Sequence, residues 1–289
     1  MNKEQTFILQ KNMEFEPKHI FECGQCFRWN LEQDGSYTGV VRNNVINVKK
    51  DKTSIVFKGT CEESIIKLCT DYFDLNRDYS KIKQSLAKID SNMKKSIEYG
   101  NGIRILNQDL WETIISFIIS ANNNIPRIKG IIEKLSKKYG KKIIWQNKEY
   151  YTFPTPNELS NVQIEDLRAL GLGFRDKRVY ETTQMILNKE VDLEEIKNMN
   201  DTEKIKEQLL RLPGVGPKVA ECIMLFSLNR FDVFPIDVWV RRVMNELYIK
   251  NNDETKVNRK QIEDLAKQKY KNLAGIAQQY LFYYKRENA

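Results

Sequence analysis

The segment Leu212-Pro-Gly-Val-Gly-Pro-Lys218 constrains the fold of this 289-residue chain more than any other. On its N-terminal side, Asp201 or Thr202 is placed to cap a helix whose apolar positions Ile205, Leu209 and Leu212 share one face. Pro213 and Gly214 stop that helix, Val215 and Gly216 complete a tight turn, and Pro217 suits the first position of a second helix. The second helix carries Val219, Cys222, Ile223 and Phe226 at i, i+3, i+4 and i+7, a buried stripe. Two helices joined in this way present backbone N–H groups of Gly214, Val215 and Gly216 at a positive helix end. Such a site suits a phosphate and ignores base identity. Downstream, Phe234-Pro-Ile-Asp237 sets an aspartate nineteen positions after Lys218.

Composition agrees with this reading without deciding it. The chain has 47 Lys+Arg against 39 Asp+Glu, a net +8 that favours polyanionic partners. The N-terminal Met1-Asn-Lys-Glu-Gln-Thr6 lacks a signal-peptide core, and no run of about 18 apolar residues occurs, so a soluble intracellular protein without membrane attachment is expected, cytoplasmic or on the nucleoid if bacterial. A monomer is expected as well. Five scattered cysteines point to reduced thiols. Cys23-Gly-Gln-Cys26 has redox-pair spacing, but no second pair accompanies it and His19 is the only histidine, so a zinc site is not expected.

The fold class expected is α+β, with a β-rich unit over residues 1–106 and a helical unit over 107–289. Cys26–Leu31, Tyr37–Arg42, Val45–Val48 and Ile55–Lys58 read as strands, with turns at Asp34-Gly35 and Asn43-Asn44. Lys11–Ile20 is a further strand candidate. Asp71–Leu75 reads as a loop before a helix near Ser80–Tyr99. Beyond Asn107, helices are expected over Trp111–Ser120, from Pro126 to Tyr139, over Ile164–Leu170, and from Asp176. A long tract over Gln261–Tyr284, interrupted near Leu273–Gly275, closes the chain and is expected to pack back on the first unit.

Six blocks in one order resemble the 8-oxoguanine DNA glycosylases of the helix–hairpin–helix superfamily. They are Cys23-Gly-Gln-Cys-Phe-Arg-Trp29, Gln108-Asp-Leu-Trp-Glu112, Ser120-Ala-Asn-Asn-Asn-Ile-Pro-Arg127, Leu170-Gly-Leu-Gly-Phe-Arg175, the hairpin, and Ala277-Gln-Gln-Tyr-Leu-Phe282. The resemblance implies a twisted antiparallel sheet beside a helical unit, and a duplex DNA partner containing oxidised guanine. It also implies a flipped nucleotide whose base is cut from its sugar. Gly24 would offer its carbonyl to the N7–H found only on the oxidised base. Cys222 and Phe282 would hold its two faces and Gln278 its Watson–Crick edge. Asn122, Arg127, Phe174 and Arg175 would fill the vacated stack and meet the orphaned cytosine; the family often has tyrosine where Phe174 stands. Trp239 lies near the DNA phosphate where relatives carry histidine. Read without the family, Gly24 is a turn glycine, Cys222 and Phe282 are core, Asn122–Asn124 end a helix, and Arg127 is a solvated charge.

The chemistry implied needs no catalytic cofactor. Cysteines of the kind that hold an iron–sulfur cluster in the endonuclease III branch do not occur after Cys222, so no cluster is expected. A structural cation at the carbonyls of Leu210, Leu212 and Val215 is suggested by the family. Lys218 is the expected nucleophile, placed in the first turn of its helix where the positive end disfavours an ammonium. Asp237 should start the following helix and face positive charge growing on the sugar. Three rivals remain. A glycosylase for an alkylated base would keep the aspartate without the lysine, a DNA-binding module would use only the hairpin, and a redox protein would use Cys23 and Cys26.

Overall fold

Short alternating segments near the N-terminus pair in sequence neighbours and leave one late partner for the first. In this computed structural model, which describes residues 3–10, 14–253 and 256–288, five strands form one antiparallel sheet. They are β1 (Lys3–Gln10), β2 (Trp29–Leu31), β3 (Tyr37–Val41), β4 (Asn44–Lys50) and β5 (Ser54–Cys61), in the order β1-β5-β4-β3-β2. Gly35 turns β2 into β3 at φ +79°, with Asp34 accepting from the Ser36 backbone, as the Asp34-Gly35 spacing predicts. The next turn falls at Arg42-Asn43, one place before Asn43-Asn44, because Val41 pairs with Asn44.

Among the described residues the remaining elements are helices apart from one hairpin. The helices are α1 (Pro17–Phe21), α2 (Ile65–Tyr72), α3 (Tyr79–Ala87), α4 (Ser91–Tyr99), α5 (Leu110–Ser120), α6 (Ile125–Tyr139), α7 (Ile164–Ala169) and α8 (Asp176–Leu187). They continue as α9 (Leu193–Asn198), α10 (Thr202–Leu210), α11 (Pro217–Ser227), α12 (Val238–Met244), α13 (Arg259–Tyr270) and α14 (Ala274–Glu287). The hairpin comprises β6 (Lys142–Trp145) and β7 (Lys148–Tyr151). The fold is mixed α+β.

Several expectations give way to local chemistry. Of the Lys11–Ile20 strand candidate, residues 11–13 lie outside the described residues. Pro17 opens a helix in the remainder, burying Ile20 and Phe21. The fifth strand is β1, whose alternating burial was hidden by a mostly polar face. Only Trp29–Leu31 of Cys26–Leu31 pairs in the sheet. The helix over Ser80–Tyr99 is two helices, because Asp90 accepts from the Met93 backbone at 2.8 Å and starts a new one. The loop assigned to Asp71–Leu75 starts later, since α2 runs to Tyr72. The closing tract breaks at Lys271–Leu273, with Lys271 at φ +51°, slightly ahead of the expected position. Gln146 and Asn147, both at positive φ, make the unforeseen β6–β7 turn.

Two large apolar clusters, and a small third one at Val40, Val45 and Trp145, hold the described residues together. Of the large two, the smaller lies between sheet and α2, with Phe21, Trp29, Phe57, Phe73 and Leu106 buried. The larger one joins the helices and takes in Cys23 and Phe27 from the N-terminal turn, and Met93 and Ile97 from α4. A buried glutamine links the two. Gln25 donates to the carbonyls of Ile20 and Arg104, each at 2.9 Å, and accepts from the Leu106 N–H at 2.9 Å. Its own carbonyl accepts from Gln108, whose N–H donates to the last turn of α11 at Phe226. The turn at Gly24 is thereby fixed against the helix that carries Lys218.

Candidate active site

Local sequence places each half of the hairpin as expected. Asp201 caps α10 by accepting from Glu203 and Lys204. Gly214 takes φ +87°, and the stem of Arg178 packs so closely on it that a Cβ would lie 2.8 Å from Arg178 Cδ. Gly216 precedes Pro217 at the start of α11. The Val215 N–H donates to Leu212 within the turn at 3.0 Å, so it is spent there and not free for a phosphate. Among the described residues the N–H groups of Gly214 and Gly216 have no backbone acceptor. Of the three carbonyls suggested for a cation, Leu212 accepts only from Val215, and those of Leu210 and Val215 accept no backbone N–H among the described residues. Free carbonyl lone pairs are the donors a hard cation takes, so the residues fit such an ion. No cluster of three His, Cys, Asp or Glu suited to a metal occurs among the described residues.

Asp237 begins α12 as its cap, accepting from the Val240 N–H at 2.8 Å. It shares one small cleft with Lys218, Gly24, Cys222, Gln278 and Phe282, and with Phe117, Phe226, Pro235 and Gln279. Six residues chosen from four separate sequence blocks thus meet at one place. Lys218 Nζ lies 5.2 Å from the centre of the Phe117 ring. Among the described residues Lys218 forms no ion pair, so its nitrogen is not tied to a carboxylate. Burial pushes the Cys222 thiol up to about 11; the Lys218 ammonium opposes that rise and the Asp237 carboxylate adds to it. The thiol is therefore neutral and apolar, a packing surface. Cys23 is likewise pushed up to about 11 by burial, and burial holds Cys26 well above the usual thiol range, which removes the thiolate that a redox pair needs.

The cleft encloses only about 30 Å³, enough for a water or two. Phe282 closes it: a Cβ on Gly24 would sit 3.1 Å from the edge of that ring. Gly24 itself holds φ +82°, a backbone that side chains rarely adopt. Gln278 is 5% exposed and its Oε1 has no partner among the described residues. Gln279, which the sequence did not single out, donates to the Cys23 carbonyl at 2.5 Å and anchors α14 to the Gly24 turn. Only its place beside Gln278 hinted at this. Phe117, Phe226 and Pro235 were legible as apolar positions and not as lining.

The expected opposite-base group forms a second region. Asn122 is exposed at φ +49°, Arg127 is exposed with one donor on the Gly171 carbonyl at 3.2 Å, and Phe174 is 54% exposed. Arg175 departs from the expectation. It is 2% exposed, and its guanidinium donates to the carbonyls of Ala121, Asn122 and Leu172. It holds the Asn122 loop and does not face solvent, because that loop leaves carbonyls that only a forked donor satisfies together. Phe174 stacks against both Arg175 and Arg178, whose guanidinium carbons lie 4.2 and 5.1 Å from its ring centre. Trp239 is half-buried under the Arg242 guanidinium, 5.3 Å away.

Comparison with known proteins adds to this geometry. Residues 7–114 match the N-terminal domain of 8-oxoguanine DNA glycosylase, and residues 115–272 match the HhH-GPD superfamily of base excision DNA repair proteins. A probable N-glycosylase/DNA lyase of Methanothermobacter thermautotrophicus is 32% identical over 75% of this chain and 73% of its own. The N-glycosylase/DNA lyase of Saccharomyces cerevisiae is 30% identical over 80% of this chain and 67% of its own. The crystal structure of Clostridium acetobutylicum 8-oxoguanine glycosylase/lyase, in complex with duplex DNA containing cytosine opposite 8-oxoguanine, superposes with a TM-score of 0.93. It is 43% identical and covers 100% of this chain and 98% of that one. The matched regions, the paired lysine and aspartate, and the cleft they share lead to one conclusion: this chain belongs to the 8-oxoguanine DNA glycosylase family, within the helix–hairpin–helix superfamily of base-excision repair proteins.

Proposed function

We propose that the protein excises 8-oxoguanine from duplex DNA, preferentially opposite cytosine, and then cuts the strand at the abasic site. The observation that carries this reading is the shared cleft of Lys218, Asp237, Gly24, Gln278 and Phe282. The amine of Lys218 attacks C1′ of the flipped nucleotide, and the C1′–N9 bond breaks with its electron pair leaving on the base. Asp237, held by its cap bond at the start of α12, stabilises positive charge on the sugar as the base departs. The amine stays bonded to C1′, the sugar opens to a Schiff base, and loss of a proton from C2′ expels the 3′ phosphate. The Gly24 carbonyl accepts from N7–H of the lesion. Guanine would set a lone pair there, at a cost of about 1–3 kcal/mol.

The hairpin N–H groups of Gly214 and Gly216 receive backbone phosphate. A cation held by Leu210, Leu212 and Val215 would add positive charge beside that phosphate. Asn122 and Arg127 are the exposed donors for the orphaned cytosine, with Phe174 as the wedge and Arg175 acting through the loop it holds. Trp239 packs beside the backbone without charge. The test is borohydride trapping on a duplex with 8-oxoguanine opposite cytosine. Wild-type protein should be trapped covalently, and Lys218→Gln should bind the duplex without being trapped. Undiminished trapping by that variant would move the nucleophile elsewhere.

A further inference from the structure

Helix α14 places three side chains at i, i+4 and i+8 along one line: Gln278, Phe282 and Arg286. About 6 Å of helix separates each from the next. The first two belong to the cleft described above, and the third does not line it. Arg286 nevertheless touches the same turn: a Cβ on Gly24 would lie 3.1 Å from Arg286 Nη1, as close as from the Phe282 ring. Its guanidinium carbon lies 5.3 Å from the centre of that ring. Nη2 donates to the Glu22 carbonyl and, at 2.8 Å, to the Glu287 carboxylate, while Nε donates to Glu287 at 3.0 Å. Nη1 is buried and has no partner among the described residues.

A buried guanidinium nitrogen without an acceptor is costly, and the other three contacts fix its position. At the opposite end of the line, Gln278 Oε1 is also buried and unpartnered. Gln278 lines the cleft together with Phe282, and Arg286 lies beside the Phe282 ring, on which a flipped base would stack. The gap beside Gln278 suits the N–H groups of a purine's Watson–Crick edge. Arg286 Nη1 lies next to the Gly24 turn, so a purine whose N7–H meets the Gly24 carbonyl would present that same edge to it. On an oxidised guanine that edge carries N7–H and, on the adjacent carbon, the C8 oxygen. The first is a donor for the Gly24 carbonyl. The second is an acceptor that guanine lacks.

We propose that Arg286 is a further specificity-determining residue, donating from Nη1 to the C8 oxygen of the flipped base once Phe282 has moved off Gly24. This rests on the function proposed above and deepens it. Lesion recognition then uses two complementary contacts at one edge, a carbonyl for the new N–H and a guanidinium for the new oxygen. The same contact opposes charge that builds on the base as the C1′–N9 bond breaks.

The experiment compares wild type with Arg286→Lys, Arg286→Gln and Arg286→Ala on duplexes differing at one position: 8-oxoguanine, guanine, or a tetrahydrofuran abasic analogue, each opposite cytosine. Single-turnover excision of 8-oxoguanine should fall about 10- to 100-fold in the Gln and Ala variants. Affinity for the abasic analogue should stay within about twofold, since no base is there to contact. Measured in a Lys218→Gln background to prevent turnover, the preference for binding 8-oxoguanine over guanine should shrink by a similar factor. Arg286→Lys keeps the charge and stem and carries the test if the Ala variant does not fold. Equal losses on all three duplexes, or an unchanged preference over guanine, would reduce Arg286 to a support for Phe282 and overturn the proposal. Wild-type protein inert towards 8-oxoguanine would instead sink the function itself.

Discussion

The cleft and the proposed opposite-base region solve different problems with the same residue types. In the cleft Gln278 is buried, and beside it Arg286 is half-buried; each keeps a buried polar atom without a partner among the described residues, while Phe282 fills the space a base would occupy. In the proposed opposite-base region, Arg175 is more deeply buried and is engaged by backbone carbonyls, and Phe174, the proposed wedge, stands in solvent. One region is chemically unsatisfied and sterically shut; the other is chemically satisfied and open. The unsatisfied cleft gains hydrogen bonds when a base enters, and the satisfied loop keeps its shape when a base leaves the stack. Substitutions in the cleft should therefore cost activity, and substitutions of Arg175 should cost stability first.

The sharpest break in this comparison comes from Asp237→Asn. The cap bond to Val240 survives through the side-chain carbonyl, so binding should persist, while excision should slow by about 10²–10³, the usual cost of one preorganised electrostatic group. Excision within a few-fold of wild type would take Asp237 out of the reaction. Gly24→Ala should follow. It strains a φ of +82° and pushes against Phe282 and Arg286, so single-turnover excision should fall well over tenfold with a modest drop in melting temperature. Phe282→Ala should weaken base binding by about 1–3 kcal/mol, read as lower affinity for lesion duplex and not for the abasic analogue.

The other region should answer in a different currency. Arg175→Ala leaves the Ala121 and Asn122 carbonyls unpaired, so denaturant unfolding should show a loss of about 1–3 kcal/mol. Exposed Arg127→Ala should leave stability unchanged and lower the preference for cytosine over adenine opposite the lesion. A stability loss at Arg127 larger than at Arg175 would erase the contrast. The last effect concerns pH. Burial raises the Glu112 carboxyl to about 7, against the pull of Arg28 at 3.7 Å. Between about pH 4.5 and 7 the folded protein holds more of this proton than the unfolded chain. Stability from this group is therefore lost as pH rises through that window. The difference in melting temperature between wild type and Glu112→Gln should shift against wild type over the same range, and a flat difference would remove Glu112 from the pH response.

Much of the candidate site was legible because it is written in local chemistry. The proline and glycine spacing around Lys218 fixes two helix ends, and Asp237 after Pro235 reads as a cap without knowledge of its neighbours. The apolar stripe of α11 likewise reveals that Cys222 faces inward, though not what lies opposite. Strand β1 escaped because its partner β5 lies far along the chain, and the β6–β7 hairpin because its two four-residue strands pair only with each other and Trp145 packs against the distant Val40 and Val45.

The sequence by itself determined the helix–hairpin–helix, the start of α12, and therefore which lysine and aspartate are candidates for chemistry. Those features depend on φ preferences, missing N–H groups and side-chain caps within a few residues. Only the tertiary structure decided that Phe282 rests on Gly24, that Arg175 serves a loop, and that Arg286 reaches the Glu22–Gly24 turn from the last helix. These contacts join residues more than fifty positions apart. Their geometry follows from how sheet and helices pack around two cores, and no local preference encodes that.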